Sequence, residues 1–257
     1  MEKEVFFWER DYCLKTHLSK SLLIGGYPEA VLVPKESFWF LKQIKDAYVE
    51  KDILKEFKIA NWEDYEKTMR YLGLNIGQLF NRQSFSREIG IAQETLKKFS
   101  NILKSTYMLD FISIYRTNKI SSLRSSQKPY FLDLGMRNLL ANTLTPQILV
   151  KEEGVIKENF VFIQLYKFIA YNPFSLGNKL YFWRNEDKNE VDFIFEKNRN
   201  ITAIEVKNRF DIDKGYYIFI NKMGLKKAII ISDRFSYQKK NNMEFFSLPI
   251  EVFALLI

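Results

Sequence analysis

The sequence predicts a helical amino-terminal half followed by a mixed α/β domain, and three patterns predict it. Up to about residue 60, apolar residues recur at helical spacing. Between Trp62 and Leu132, three helical segments lead into two short apolar runs of strand length. From Gly154 onward, one amphipathic helix precedes three strands, a helix and a further strand. With 257 residues, 47% of them apolar, the chain is long enough to bury a sizeable core.

In the first region, Gly25-Gly26-Tyr27-Pro28 breaks the helical pattern with a turn. Phe38, Leu41, Ile44, Tyr48, Ile53 and Phe57 then predict one helix from Ser37 to Phe57. A helix over Trp62–Ile76 opens the second region. A short helix follows, which Ser84 is placed to cap and Gly90 to end. A third begins at Gln93, with Leu96, Phe99, Ile102 and Leu103 as its apolar seam. A short helix, a Gly-containing turn and a longer helix form the layout of a helix-turn-helix. With strands at Leu109–Tyr115 and Tyr130–Leu132 as a two-stranded wing, the region reads as a winged helix. The third region has a helix over Gly154–Ala170 and strands at Leu180–Arg184, Glu190–Phe195 and Ile201–Lys207. Its last two expected elements are a helix near Tyr216–Met223 and a strand at Lys227–Ser232. The expected divisions are 1–61, a helical linker region; 62–129, the winged helix; and 130–257, the mixed-sheet domain.

Composition removes several classes of function. One cysteine, Cys13, excludes an intrachain disulfide, and with one histidine, His17, it excludes a zinc site built from Cys and His. A Ser/His/Asp or Cys/His group would depend on His17, which lies in a polar stretch between Lys15 and Lys20. Neither Gly nor Pro is enriched, which argues against disorder. No apolar run approaches the ~20 residues needed to span a bilayer. The opening Met-Glu-Lys-Glu lacks a signal-peptide layout, so a cytoplasmic protein without a membrane is expected.

The net charge of +8 is unevenly spread. Between Ser84 and Lys128 eight basic residues face three acids, a surplus of five. Such a footprint suits phosphate-backbone contact, and DNA is the expected partner. The candidate nucleic-acid contacts are Arg87, Gln93, Thr95, Lys97, Lys98, Arg116, Lys119 and Arg124. Of these, Gln93, Thr95, Lys97 and Lys98 would face the major groove, and Arg116, Lys119 and Arg124 phosphates. Winged helices also serve as protein-docking units, and a basic tract is also what a solvated surface looks like.

The residues with candidate chemistry lie in the third region. Side chains alternate faces along a strand, so Glu205 and Lys207 share one face while Ile204 and Val206 share the other. A hairpin register that buries the apolar sides together brings Asp192 to the face of Glu205. Two adjacent carboxylates repel, and a hard cation with oxygen ligands, Mg²⁺ or Mn²⁺, relieves that repulsion. Lys207 beside them is placed to orient an attacking water and to stabilise charge on a phosphate. Glu158, on the preceding helix, is the natural fourth member. Glu-x-Lys alone on a strand is commonly a solvated ion pair; its pairing with Asp192 and Glu158 is what points to a site.

The chain resembles the carboxy-terminal region that follows the P-loop core in archaeal-type and bacterial AAA ATPases. The resemblance is carried by Gly25-Gly26-Tyr27-Pro28, Asp52-Ile53, Asn75-Ile76-Gly77, Phe80-Asn81 and Arg87-Glu88-Ile89-Gly90-Ile91. It continues through Pro129 to Gly135, Glu158-Asn159, Trp183-Arg184, Glu190-Val191-Asp192-Phe193 and Ile204-Glu205-Val206-Lys207. It implies a winged helix followed by a PD-(D/E)XK restriction-endonuclease-like fold. It also assigns metal-ligand roles to Asp192 and Glu205, the helix acid to Glu158 and the motif lysine to Lys207, with Arg184 and Glu190 adjacent. No Gly-x-x-x-x-Gly-Lys-Ser/Thr loop occurs in the sequence, so ATP hydrolysis is not expected of it. Either the sequence belongs with an ATPase polypeptide or it acts apart from one. Two functions remain open: a Mg²⁺-dependent DNA endonuclease, and a non-catalytic DNA-binding or regulatory module that docks to an AAA ATPase subunit. Cutting both strands needs two centres, which would call for a homodimer.

Overall fold

The computed structural model describes residues 2–49, 53, 56–57, 59, 61–116, 126–171 and 177–257, with side chains described from residue 13. Among these residues the fold is mixed α/β, with eleven α-helices and an eight-stranded sheet. The chain divides into two compact units, one of residues 1–111 and 129–156, the other of residues 112–128 and 157–257. The expected three-part division is finer and cuts the chain elsewhere. No described helix is long and apolar enough to cross a membrane.

The first unit begins with α1 (Glu2–Ile24), α2 (Pro28–Leu32) and α3 (Ser37–Tyr48). Of the helix expected to run on to Phe57, the α-helical part ends at Tyr48; Val49, Ile53 and Glu56 beyond it are π-helical, and residues 50–52 and 54–55 lie outside the described residues. Next come α4 (Trp62–Leu74), α5 (Arg82–Ile89) and α6 (Gln93–Ser105). The cap of α5 is Asn81 rather than Ser84. Asn81 Oδ1 accepts from the amides of Gln83 (2.9 Å) and Ser84 (3.2 Å), which makes Ser84 a recipient of capping within the first turn. Gly90 ends α5 at φ +72°, as its left-handed role requires. The seam of α6 is buried as expected, in a core shared with Tyr65, Met69, Leu72 and Phe85.

After α6 come β1 (Leu109–Ile114) and β2 (Gln127–Phe131), and then α7 (Leu134–Leu140) and α8 (Ile148–Lys151). Sequence reasoning missed both helices. On α7, the polar residues Arg137 and Asn138 are both fully buried. Arg137 Nε donates to Gly73 O at 2.7 Å, and its guanidinium pairs with Glu152. Asn138 Nδ2 donates to the carbonyls of Leu22 (3.1 Å) and Leu23 (2.8 Å), closing the last turn of α1. Asp133 caps α7 through Met136 N (2.8 Å) and accepts from Gly26 N (2.7 Å). The Gly-Gly-Tyr-Pro and Leu-Asp-Leu-Gly segments, far apart in sequence, therefore meet. Gly135 permits that meeting: a Cβ there would stand 2.1 Å from Ile24 O.

The second unit holds most of the sheet, whose strand order is β2-β1-β3-β4-β5-β6-β8-β7. It contains most of α9 (Glu153–Tyr171), then β3 (Lys179–Arg184), β4 (Glu190–Lys197), β5 (Asn200–Val206) and α10 (Lys214–Lys222). After these come β6 (Lys227–Ser232), β7 (Ser236–Lys240), β8 (Met243–Pro249) and α11 (Ile250–Leu256). Antiparallel pairs join β3 to β4, β4 to β5 and β7 to β8, and parallel pairs join β5 to β6 and β6 to β8. The strands expected as a two-stranded wing are neighbours, β2 beside β1, and they also join the larger sheet, because β1 pairs in parallel with β3, Ser113 opposite Tyr181. The reason lies in β1 itself: Leu109, Ile112 and Ile114 are all buried, so the strand is covered by neighbours.

Candidate functional site

The site is built on the β4–β5 hairpin. Lys197 pairs with Asn200 across a two-residue turn in which Asn198 (φ 51°) and Arg199 (φ 68°) are both left-handed. Such turns match the twist of the flanking strands and fix their register. Phe193 consequently faces Ile204, the last pair of the ladder, and just beyond it Asp192 N lies 3.3 Å from Glu205 Oε2. Val191, Phe193 and Ile194 are all buried, Val191 and Ile194 in the same core, because the register of β4 on β3 shifts between them and places Asp192 at the irregularity.

Glu205 is buried, Asp192 is half-buried, and the two are crowded. Asp192 Oδ2 accepts from Val206 N at 2.8 Å, and Glu205 Oε2 lies 3.3 Å from Asp192 N. Burial, together with the nearby Glu158, pushes the Asp192 carboxyl up to about 7 against the opposing pull of Lys128, the Val206 amide and Lys207. Glu205, 3% exposed, is also raised well above the carboxylate range, first by burial and then by Asp192. Two acids that resist ionising side by side mark an unsatisfied demand for positive charge.

Lys207 follows directly on β5. Its Nζ lies 2.9 Å from Glu205 Oε1 and 2.6 Å from Asp213 Oδ2. Burial alone would depress its ammonium, but Glu205 and Asp213 outweigh burial and raise it. Asp213 is doubly engaged, because its Oδ1 also caps α10 by accepting from Tyr216 N at 2.8 Å. Burial opposes its charge, yet Lys207 and that amide hold it below the usual range. The Tyr216 hydroxyl reaches the carbonyls of Ala203 (2.9 Å) and Ile229 (2.7 Å), fastening α10 beneath the hairpin.

Two members of the site escaped sequence reasoning, Asp213 and Lys128. An Asp just before an apolar helix is a cap signal, and that signal could have found Asp213. Lys128, on β2, had been counted with the basic tract. It is 2% exposed, pairs with both Glu158 (3.5 Å) and Glu190, and lies 5.3 Å from the centre of the Phe182 ring. Burial disfavours its charge, but Glu158, Asp192 and Glu190 together raise it. Glu158 is thus near the site with Lys128 as a neighbour. Of the residues expected beside the site, Arg184 Nη1 pairs with Glu190 Oε2 at 2.6 Å.

Among the described residues, no group of three or more His, Cys, Asp or Glu is arranged to hold a metal ion. Asp192 and Glu205 nonetheless fit a Mg²⁺-type cation, which binds through one or two carboxylates and keeps water or phosphate oxygens elsewhere. Their raised proton affinities are the observation behind that fit.

On the first unit, Arg87, Gln93, Lys97 and Lys98 are exposed. Thr95 is half-buried, because it sits at the margin of the apolar seam of α6. Lys97 and Lys98 border an open cleft of about 460 Å³ together with Phe57, Glu94 and Asn101. Arg116 is exposed on the second unit, and Lys119 and Arg124 lie outside the described residues.

Comparison with known proteins adds family context. Residues 153–251 match a domain of unknown function (DUF4143). The chain is 28% identical over 138 residues to Uncharacterized protein Rv2008c of Mycobacterium tuberculosis and, equally, to Uncharacterized protein Mb2031c of Mycobacterium bovis. Each match covers 51% of this chain and 29% of the relative, so the matched part is less than a third of either relative's length. No solved structure matches significantly. Residues 15–147, more than half of the chain, match a second domain of unknown function, and the chain belongs to that family, DUF8612.

Proposed function

We propose that the second unit is a divalent-cation-dependent phosphodiesterase centre of the PD-(D/E)XK type, acting on DNA as an endonuclease. The observation that carries the reading is the crowded pair of carboxylates, half-buried Asp192 and buried Glu205, with the Lys207 ammonium 2.9 Å from Glu205. Asp192 and Glu205 hold the cation, Mg²⁺ or Mn²⁺. When bound, it supplies charge stabilisation at a phosphoryl oxygen and a more acidic water. Lys207 keeps a positive charge beside the position where phosphate charge develops, and Asp213 restrains its rotamer. Glu158 acts on Asp192 electrostatically and shares Lys128. The exposed Arg87, Gln93, Lys97, Lys98 and Arg116 contact DNA, phosphates above all. A cytoplasmic location belongs to the same reading, as does a homodimer where both strands are cut.

A second reading is a non-catalytic DNA-binding module that docks to an AAA ATPase subunit. One observation favours it: Lys128 places a permanent positive charge among the acids without any metal. A cleavage assay with Mg²⁺ or Mn²⁺ on duplex, single-stranded and branched DNA separates the two, comparing the wild type with Asp192→Ala and Lys207→Ala. The nuclease reading expects cleavage that disappears in both variants. DNA binding retained in all three proteins with cleavage in none would leave the docking module.

A further inference from the structure

The cluster carries more charge than its carboxylate pair. Among the described residues, five carboxylates are joined through ion pairs and the hairpin: Glu158, Glu190, Asp192, Glu205 and Asp213. Three cations stand among them: Lys128, Arg184 and Lys207. Once Asp192 and Glu205 have lost their protons, five against three leaves two negative charges, the complement of one divalent ion. The surplus is not spread evenly. Glu190 has one oxygen on Lys128 and the other on Arg184. Asp213 has Lys207 on one oxygen and a backbone amide on the other. Glu205 has Lys207 at 2.9 Å, and among the described residues Asp192 has no ion pair of its own, feeling both Lys128 and Lys207 from a distance.

We propose that Lys128 is a built-in counter-cation that fills a second cation position, between Glu158 and Glu190, so that the unit takes one divalent ion at Asp192 and Glu205 rather than two. The inference rests on the metal reading above and deepens it. Lys128 is tethered to β2, almost wholly buried and lies near the face of Phe182. A divalent ion entering between Glu158 and Glu190 would have to displace that ammonium into an apolar wall, leaving a buried charge without a partner. The lysine therefore acts as a stopper, holding the two outer carboxylates in place while denying them to metal.

The test is the number of Mn²⁺ ions bound per chain, read by electron paramagnetic resonance and calorimetry on the whole protein, with folding checked by circular dichroism. The wild type and Lys128→Arg should bind one. Lys128→Gln should bind two, and the double variant Lys128→Gln/Glu190→Gln should return to one. If Lys128→Gln does not fold, Glu190→Gln with Lys128 intact decides: one ion at unchanged affinity is expected. Two ions in the wild type, one in a folded Lys128→Gln, or a weakened ion in Glu190→Gln would overturn the inference while leaving the metal centre standing. No ion in the wild type would overturn the metal reading and this inference with it.

Discussion

Two buried polar clusters, one in each unit, use the same residue types to opposite effect. Around α7, Arg137, Asn138 and Asp133 find partners at helix ends: Gly73 O, the last carbonyls of α1, Met136 N and Gly26 N. Charge and hydrogen bonds close there, and the groups act as fasteners. Around the β4–β5 hairpin the accounts stay open, with five acids among three cations and Asp192 held near neutrality by its surroundings. Burial of polar groups thus says little by itself. A cluster that balances fastens the fold; the one that stays frustrated in the folded chain is where we propose a cation binds.

The largest effect should come from breaking the balanced cluster. Arg137→Met leaves Gly73 O without its side-chain donor and half-buried Glu152 without its cation, and should lower the unfolding free energy by about 2 kcal/mol in urea titration. It should leave Mn²⁺ binding unchanged in whatever fraction remains folded. In the frustrated cluster the sign reverses. Asp192→Asn removes a repelled charge and should raise the stability of the metal-free protein at pH 8 by ~1 kcal/mol, while abolishing Mn²⁺ binding.

The pH dependence follows from the same asymmetry. Asp192 is raised on folding from 3.8 to about 7, so the folded state holds its proton more tightly than the unfolded state does. Its contribution to stability is present at low pH and is lost as pH rises toward 7. The stability difference between wild type and Asp192→Asn should therefore widen from pH 5 to pH 8, and a flat difference would remove Asp192 as the source. Mn²⁺ affinity should change in the opposite direction, rising with pH as the proton leaves. The smallest effect belongs to a cap remote from both clusters: Asn81→Ala should cost about 1 kcal/mol and move neither pH curve.

Legibility in the sequence followed this division. The hairpin was readable because two apolar runs, Glu190–Phe195 and Ile201–Lys207, flank a short polar turn, and their antiparallel ladder brings Asp192 N within 3.3 Å of Glu205 Oε2. Gly90 and the seam of α6 were readable for the same local reason. What failed to show was polar residues facing inward. Lys128 lies 30 residues before Glu158, on a strand read as the return of a wing, so nothing near it in sequence signals its partners. Arg137 and Asn138 disguised α7. In β8, Ser247 turns inward to meet the Ser232 hydroxyl at 2.6 Å while Phe246 is exposed, which inverts the expected alternation. The strand beside it, Ser236–Lys240, is largely exposed and carries no apolar pattern at all.

The two left-handed residues at Asn198 and Arg199 set a rule about chain length. Because side chains along a strand alternate sides, one residue added to this turn and taken up by re-registering β5 would turn Glu205 and Lys207 away from Asp192. Two added residues would bring them back. Length changes elsewhere are graded in their effect, but here they are governed by parity. A series of glycine insertions at this turn should alternate between loss and recovery of cation binding rather than decline steadily.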